Sequence, residues 1–307
     1  MARRPKFEEV SPEVGELDEA AVEEAMSDDP DEMLAMLADL TGATDPTLRE
    51  LARRLAGRLF LDVARRGPTR PRGVGRLETQ RYRADAGDLD LDASLDEVLT
   101  ASGSGRAVDP DELRVRGWRR PGTAICLLVD RSGSMGGAPL ATSAVAASAV
   151  AWRSPDDYSV LSFGKDVVAA KSQDQAKSNE AVVDAVLALR GFGTTDVAGA
   201  LVTAAEQLRR STAGRKITVL LSDCRATVPG DVVSAAAGLD ELVIIAPEGD
   251  SEEAASLALR TGARKTTVSG PSQAADALAA VLDARSDGQP TPSPRSSTLD
   301  RTVSRRS

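Results

Sequence analysis

From Pro121-Gly122 onward the chain alternates short apolar runs, rich in β-branched residues, with Ala-rich stretches whose apolar positions recur every three or four residues. That alternation leaves few architectures open. Most of the strands must be parallel, and the stretches between them must be crossover helices covering the sheet. The strands are predicted at 123–129, 158–163, 167–170, 217–221, 242–246 and 265–268, and the helices at 140–152, 179–189, 197–209, 232–239, 252–259 and 272–284. The second and third strands lie too close together for a crossover, so they form an antiparallel hairpin and leave one reversed edge strand. The predicted fold class is a doubly wound, mostly parallel α/β sheet of Rossmann-like type.

Upstream the pattern is different. Residues 31–37 and 47–64 space their apolar side chains as amphipathic helices do, which predicts a small α-helical region ahead of the sheet. The first 30 residues are acidic and poorly patterned, and are expected to be partly disordered or loosely helical. From Arg65 to Gly122 the chain is broken by Gly67-Pro68, Pro71, Gly73, Gly75, Gly103, Gly105 and Pro110, which reads as an irregular linking layer with one short helix at 94–100. Within it, Gly87-Asp88-Leu89-Asp90-Leu91-Asp92 reads as an acidic linker. The arginines of 49–76 read as a solvated helix face with its trailing loop or as pairing with acidic segments of the same chain, with a docking surface for an acidic partner as the alternative. The expected organisation is an N-terminal region at 1–119, an α/β domain at 120–285 and a disordered Ser/Pro/Arg tail at 286–307.

Composition narrows the chemistry. A net charge of −9 opposes a general affinity for nucleic acid or anionic membrane, which needs basic patches. The absence of histidine excludes Ser-His-Asp and Cys-His catalysis and every imidazole-ligated metal site. Any metal must then be held by oxygen, which selects Mg²⁺, Mn²⁺ or Ca²⁺. Two cysteines, Cys126 and Cys224, make no disulfide framework, and the N-terminus carries no apolar signal segment, so a cytoplasmic location is expected.

The polar residues gather at predicted strand ends. Leu127-Leu128-Val129-Asp130-Arg131-Ser132-Gly133-Ser134-Met135 stops an apolar strand at a carboxylate and two hydroxyls. Gly193-Thr194-Thr195-Asp196 opens a helix, and Leu220-Leu221-Ser222-Asp223 again ends a strand in a carboxylate. In open α/β sheets ligands bind outside the carboxyl ends of the strands, where the strand order reverses. If the strands bearing Asp130 and Asp223 are neighbours, a divalent cation would offset the repulsion between the two carboxylates.

Asp130-x-Ser132-x-Ser134, then Thr195, then Asp223 resemble the metal-ion-dependent adhesion site of von Willebrand factor A (VWA) domains, over roughly residues 120–285. The resemblance implies that Ser132, Ser134 and Thr195 supply hydroxyl oxygens, that Asp130 and Asp223 hold Mg²⁺ directly or through water, and that a partner's acidic residue completes the shell. A Gly often follows the third-motif aspartate in that family, and Cys224 stands there instead. The form Asp130-x-Ser-Gly-Ser-Met135 after a helical region is similar to the intracellular bacterial group working beside MoxR-type AAA+ ATPases, which includes CoxE-like maturation factors. What this implies is a non-enzymatic, Mg²⁺-dependent adaptor. A subunit like the D subunit of magnesium chelatase is the alternative. An Asp-nucleophile phosphatase is disfavoured, because Ser132 stands where such enzymes carry an acid/base aspartate.

Overall fold

The computed structural model describes residues 7–11, 16–43, 45–66, 76–81, 88–104, 108, 113–119, 122–131, 136–191 and 193–283. The expected tail at 286–307 lies outside them. The main sheet has six strands in the order β6-β5-β4-β7-β8-β9: β4 Thr123–Asp130, β5 Tyr158–Phe163, β6 Val167–Lys171, β7 Arg215–Leu221, β8 Glu241–Pro247 and β9 Arg264–Val268. All neighbours are parallel except β5 and β6, the hairpin read from the sequence. The chain goes outward from β4 to β6, then returns to place β7 on the other side of β4. The strand order therefore reverses between β4 and β7, and that is where ligands sit in such sheets.

Alternation along the strands feeds two cores. Ile125, Leu127 and Val129 of β4 join one hydrophobic cluster, while Ala124, Cys126 and Leu128 join the other. The second cluster is closed by α8 Val197–Arg209, α9 Val232–Ala237 and α10 Glu252–Thr261. The first is closed by α6 Gly137–Arg153, α7 Asn179–Leu187 and α11 Ala274–Asp283, the last entered through a 3₁₀ turn at Pro271–Gln273.

Helix α6 is buried nearly all round, from Leu140 to Ala151. Its sequence accounts for this: alanines, Ser143 and Ser148 on every side let neighbours approach, and the two serines return their hydroxyls to carbonyls one turn back, at 2.9 and 2.8 Å. The sheet covers one side of α6. The other side is covered by the N-terminal helices α3 Pro30–Leu40 and α4 Pro46–Arg66, whose Met33, Leu34, Leu37, Ala52, Leu55, Ala56 and Phe60 are buried in the same cluster as Leu140, Ala144 and Val145. Helical layers thus lie two deep on this face.

Two expectations need correction. The first 30 residues include a regular helix, α2 Glu19–Asp28, after a single turn, α1 Phe7–Val10. Asp18 caps α2 by accepting the amides of Ala20 and Ala21, and Val22 and Ala25 anchor it. Arg58 of α4 meets Glu19 and Glu23 across the interface at 3.3 and 3.1 Å, one of the intramolecular pairings expected for the arginine face.

The linking layer is also more regular than its sequence suggests. It holds a second, antiparallel sheet in the order β1-β3-β2, with β1 Arg76–Arg81, β2 Asp88–Leu89 and β3 Arg114–Arg119, and a helix α5 Leu91–Ser104 that contains the predicted 94–100. Asp88 to Asp92 are accordingly no linker. Asp90 is buried at the head of α5, where it accepts the Ala93 amide at 3.1 Å and the Thr79 hydroxyl at 2.6 Å and faces Arg116. The Thr79 hydrogen bond, more than any other cause, holds its carboxyl below the usual value.

Candidate metal centre

Val129 of β4 lies opposite Leu221 of β7, so the next residues, Asp130 and Ser222, leave the sheet side by side. The Ser222 hydroxyl donates to Asp130 Oδ2 at 2.5 Å, a short bond to a charged acceptor. Ser222 Oγ also accepts the Cys224 amide at 2.8 Å, which turns the chain sharply after β7. Cys224 takes the left-handed φ of 65° in that turn. This is the physical reason that glycine suits the position after the third-motif aspartate. Asp223 is half-buried and fixed by its own turn, its Oδ1 accepting the Arg225 amide at 2.9 Å.

Thr195 is brought over the end of β4 from both sides. Its amide donates to Thr227 Oγ1 at 2.8 Å, and its carbonyl accepts the amides of Thr227 and Val228 at 3.0 and 3.2 Å, tying it to the segment after β7. Asp196, the next residue, donates its amide to the Gly164 carbonyl after β5 at 2.9 Å and caps α8 through the Gly199 amide. With β4 lying between β5 and β7, this bridging loop must cross β4 where Asp130 ends it. Thr195 is almost fully buried, and its hydroxyl oxygen takes no hydrogen bond from or to any of the described residues.

Asp130, Ser222 and Asp223 line a cleft of about 360 Å³, walled by Ala138, Pro139, Thr142 and Ser143 of α6 on one side and by Val268, Ser269 and Gly270 on the other. Ser132 and Ser134 lie outside the described residues. Of the five residues read from the sequence, Asp130 and Asp223 therefore share one cleft, and Thr195 is held in the loop crossing β4. Among the described residues no three Asp, Glu or Cys side chains are grouped so as to hold a metal by themselves. A divalent ion would thus depend on hydroxyls as well as carboxylates. Two carboxylates at adjoining strand ends and the hydroxyl of the buried Thr195 fit such a mixed, all-oxygen set.

Ser222 and Thr227 were missed as site residues. Ser222 stands in the motif read from the sequence, but its bond to Asp130 joins residues 92 positions apart. Both cysteines are buried, as expected for core positions, and each thiol is pushed up to about 12. Burial is the main cause at both, with the charges of Asp223 and Asp130 adding to it at Cys224.

An open, doubly wound sheet with hydroxyl- and carboxylate-bearing loops gathered at its reversal point is the architecture of a VWA domain. The chain belongs to the VWA domain containing CoxE-like protein family, whose model matches residues 51–250. No curated protein matches it. Solved structures that resemble it include proximal thread matrix protein 1 from the mussel byssus (16% identity over 53% of this chain and 47% of that one, TM-score 0.41). A von Willebrand factor type A protein from Catenulispora acidiphila matches at 16% identity over 55% and 43% of the two chains, with a TM-score of 0.41. Manganese-loaded TRAP protein of Plasmodium vivax matches at 16% over 52% and 72%, also with a TM-score of 0.41. The chain spans less than half the length of the first two. No helix among the described residues is long and apolar enough to cross a membrane.

Proposed function

We propose that this chain is a non-enzymatic, Mg²⁺-dependent protein-binding adaptor that acts with a MoxR-type AAA+ ATPase in the assembly or maturation of a client protein. The observation that carries the reading is the pairing of β4 with β7, which sets Asp130 and Asp223 in one cleft under the Thr195 loop. Asp130, Ser132, Ser134, Thr195 and Asp223 would hold the ion, with Mn²⁺ or Ca²⁺ able to replace Mg²⁺ in such oxygen sites. When bound, the ion supplies a position at which an acidic side chain of the partner can displace water. Ser222 keeps Asp130 oriented, and the turn at Cys224 presents Asp223 to the same space. The chain's lack of histidine and the serine at position 132 support a binding role over a catalytic one.

The CoxE-like VWA family is associated in general with MoxR ATPases, which supports the choice of partner class. A MoxR-type ATPase from the same source, immobilised on a resin, should retain this chain in millimolar Mg²⁺ and release it in EDTA. Asp223→Ala should abolish retention without unfolding the chain. Equal retention in EDTA would overturn the metal-dependent contact, and no retention in either buffer would overturn the choice of partner.

A further inference from the structure

Helix α5 carries its largest apolar side chains on the outside. Leu91, Leu95 and Leu99, four residues apart and so on one face, are 67%, 50% and 60% exposed, and Leu89 just ahead of the helix is 44% exposed. None of the four belongs to either hydrophobic cluster. The positions that α5 turns inward are small. Ser94 and Ala101 are buried on the side of β3, whose Val115 is buried as well.

Polar contacts fix that orientation. The Asp90 amide donates to the Arg114 carbonyl at 2.8 Å, and Asp90 Oδ1 accepts the Ala93 amide at the head of α5. One turn on, Ser94 Oγ accepts the Arg114 amide at 2.9 Å and donates to the Arg114 carbonyl at 3.2 Å. Asp90 and Ser94 therefore anchor the first turn to β3, and α5 cannot rotate to bury its leucines without giving up these bonds. Single exposed leucines are ordinary, but a contiguous leucine face held in water marks a contact surface. Asp92 and Asp96, both exposed and one turn apart, run alongside the stripe.

We propose that α5 is a docking helix whose leucine stripe takes a basic amphipathic helix of a partner protein, with Asp92 and Asp96 pairing the Lys or Arg side chains of that helix. Charge selects this occupant. A second copy would bring the same two carboxylates to the same line, on a chain of net charge −9, and like charges set face to face oppose association. The contact uses no metal ligand and stands apart from the metal-binding reading above. Its partner is accordingly a different protein from the one that EDTA releases. One chain then holds two proteins by two kinds of contact, an apolar stripe with an acidic margin and a bound ion.

The test uses the full chain in EDTA and a labelled helical peptide whose leucines recur every fourth residue with lysines beside them, read by fluorescence anisotropy. A counterpart peptide carries glutamates in place of the lysines. Docking predicts that the lysine peptide binds more tightly than the glutamate peptide by about tenfold or more. Leu95→Gln combined with Leu99→Gln should weaken the lysine peptide by about tenfold or more and leave thermal unfolding as in wild type. Asp92→Asn combined with Asp96→Asn should flatten the dependence of binding on salt. Equal binding of the two peptides, or binding indifferent to the leucine variant, would overturn the proposal. A lower melting temperature for the leucine variant would do the same, by placing those side chains in the core. Wild-type chain that sediments as a dimer, with the leucine variant a monomer, would give the stripe to a second copy and overturn the choice of partner. Absence of binding by either peptide would overturn this inference alone, because binding of Mg²⁺ or Mn²⁺ by the same chain is measured separately.

Discussion

Cys224 and Tyr158 show how single side chains carry conformational and electrostatic costs that the sequence only hints at. A left-handed φ costs an L-residue about 1–2 kcal/mol, and Cys224 sits at 65° between Asp223 and Arg225. Cys224→Gly removes that cost together with a buried thiol, while Cys224→Val adds a β-branch to the same strained turn. Urea denaturation should place the Val variant at least about 1 kcal/mol below wild type and the Gly variant above the Val variant, and the reverse order would contradict the strain. Tyr158 is fully buried with its hydroxyl donating to Asn179 Oδ1, and burial pushes it from 10.0 up to about 12. A raised acid pKa contributes stability that is fully present below pH 10 and is lost as pH rises through 12. Tyr158→Phe should therefore flatten the loss of stability between pH 10 and 12, by about 2–3 kcal/mol across that window. An unchanged slope would show that other groups govern alkaline unfolding.

At the scale of elements, legibility follows how much of each element is buried. The inner strands of the main sheet, β4, β5, β7 and β8, are largely apolar on both faces and were predicted to within a residue or two at each end, because a strand between two helical layers has no polar side to blur its limits. The hairpin of β5 and β6 was legible from spacing alone. The strands β1 to β3 were not. They are short, lie among segments broken by Gly and Pro, and two of them are largely polar, so their pairing is set by backbone register and by Asp90, which no periodicity reveals. Helix α2 escaped for a related reason: it buries only Val22 and Ala25 and is acidic elsewhere. Helix α6 supplies a prediction of its own. Ala147 is fully buried, so Ala147→Leu should overpack the first cluster and lower stability by about 1–3 kcal/mol in a urea titration. A neutral outcome would mean that the first cluster is not closely packed around α6.

For the molecule as a whole, the N-terminal helices and the sheet share one hydrophobic cluster, so the segment ahead of the VWA domain is structurally continuous with it. Removing residues 1–66 would uncover the buried flank of α6 and should replace cooperative thermal unfolding with a broad transition, measurable by calorimetry; an unchanged transition would refute the shared core. The convergence of the three motifs was legible in part. Apolar runs ending in Asp130 and Asp223 signal strand ends, but that those two strands are neighbours stood only as a condition in the sequence and comes from the pairing of β4 with β7. The hydrogen bonds that Asp39 and Asp31 of α3 accept from the Gly137 and Ser272 amides were not legible, since they join side chains to backbone amides 98 and 241 residues away, and backbone amides carry no sequence signature. The most direct measurement on the central claim is a Mn²⁺ titration of the full chain followed by electron paramagnetic resonance, with Asp130→Ala alongside. The account predicts one Mn²⁺ per chain, displaced by Mg²⁺ and lost in the variant. No binding at millimolar Mn²⁺, or equal binding by the folded variant, would contradict it.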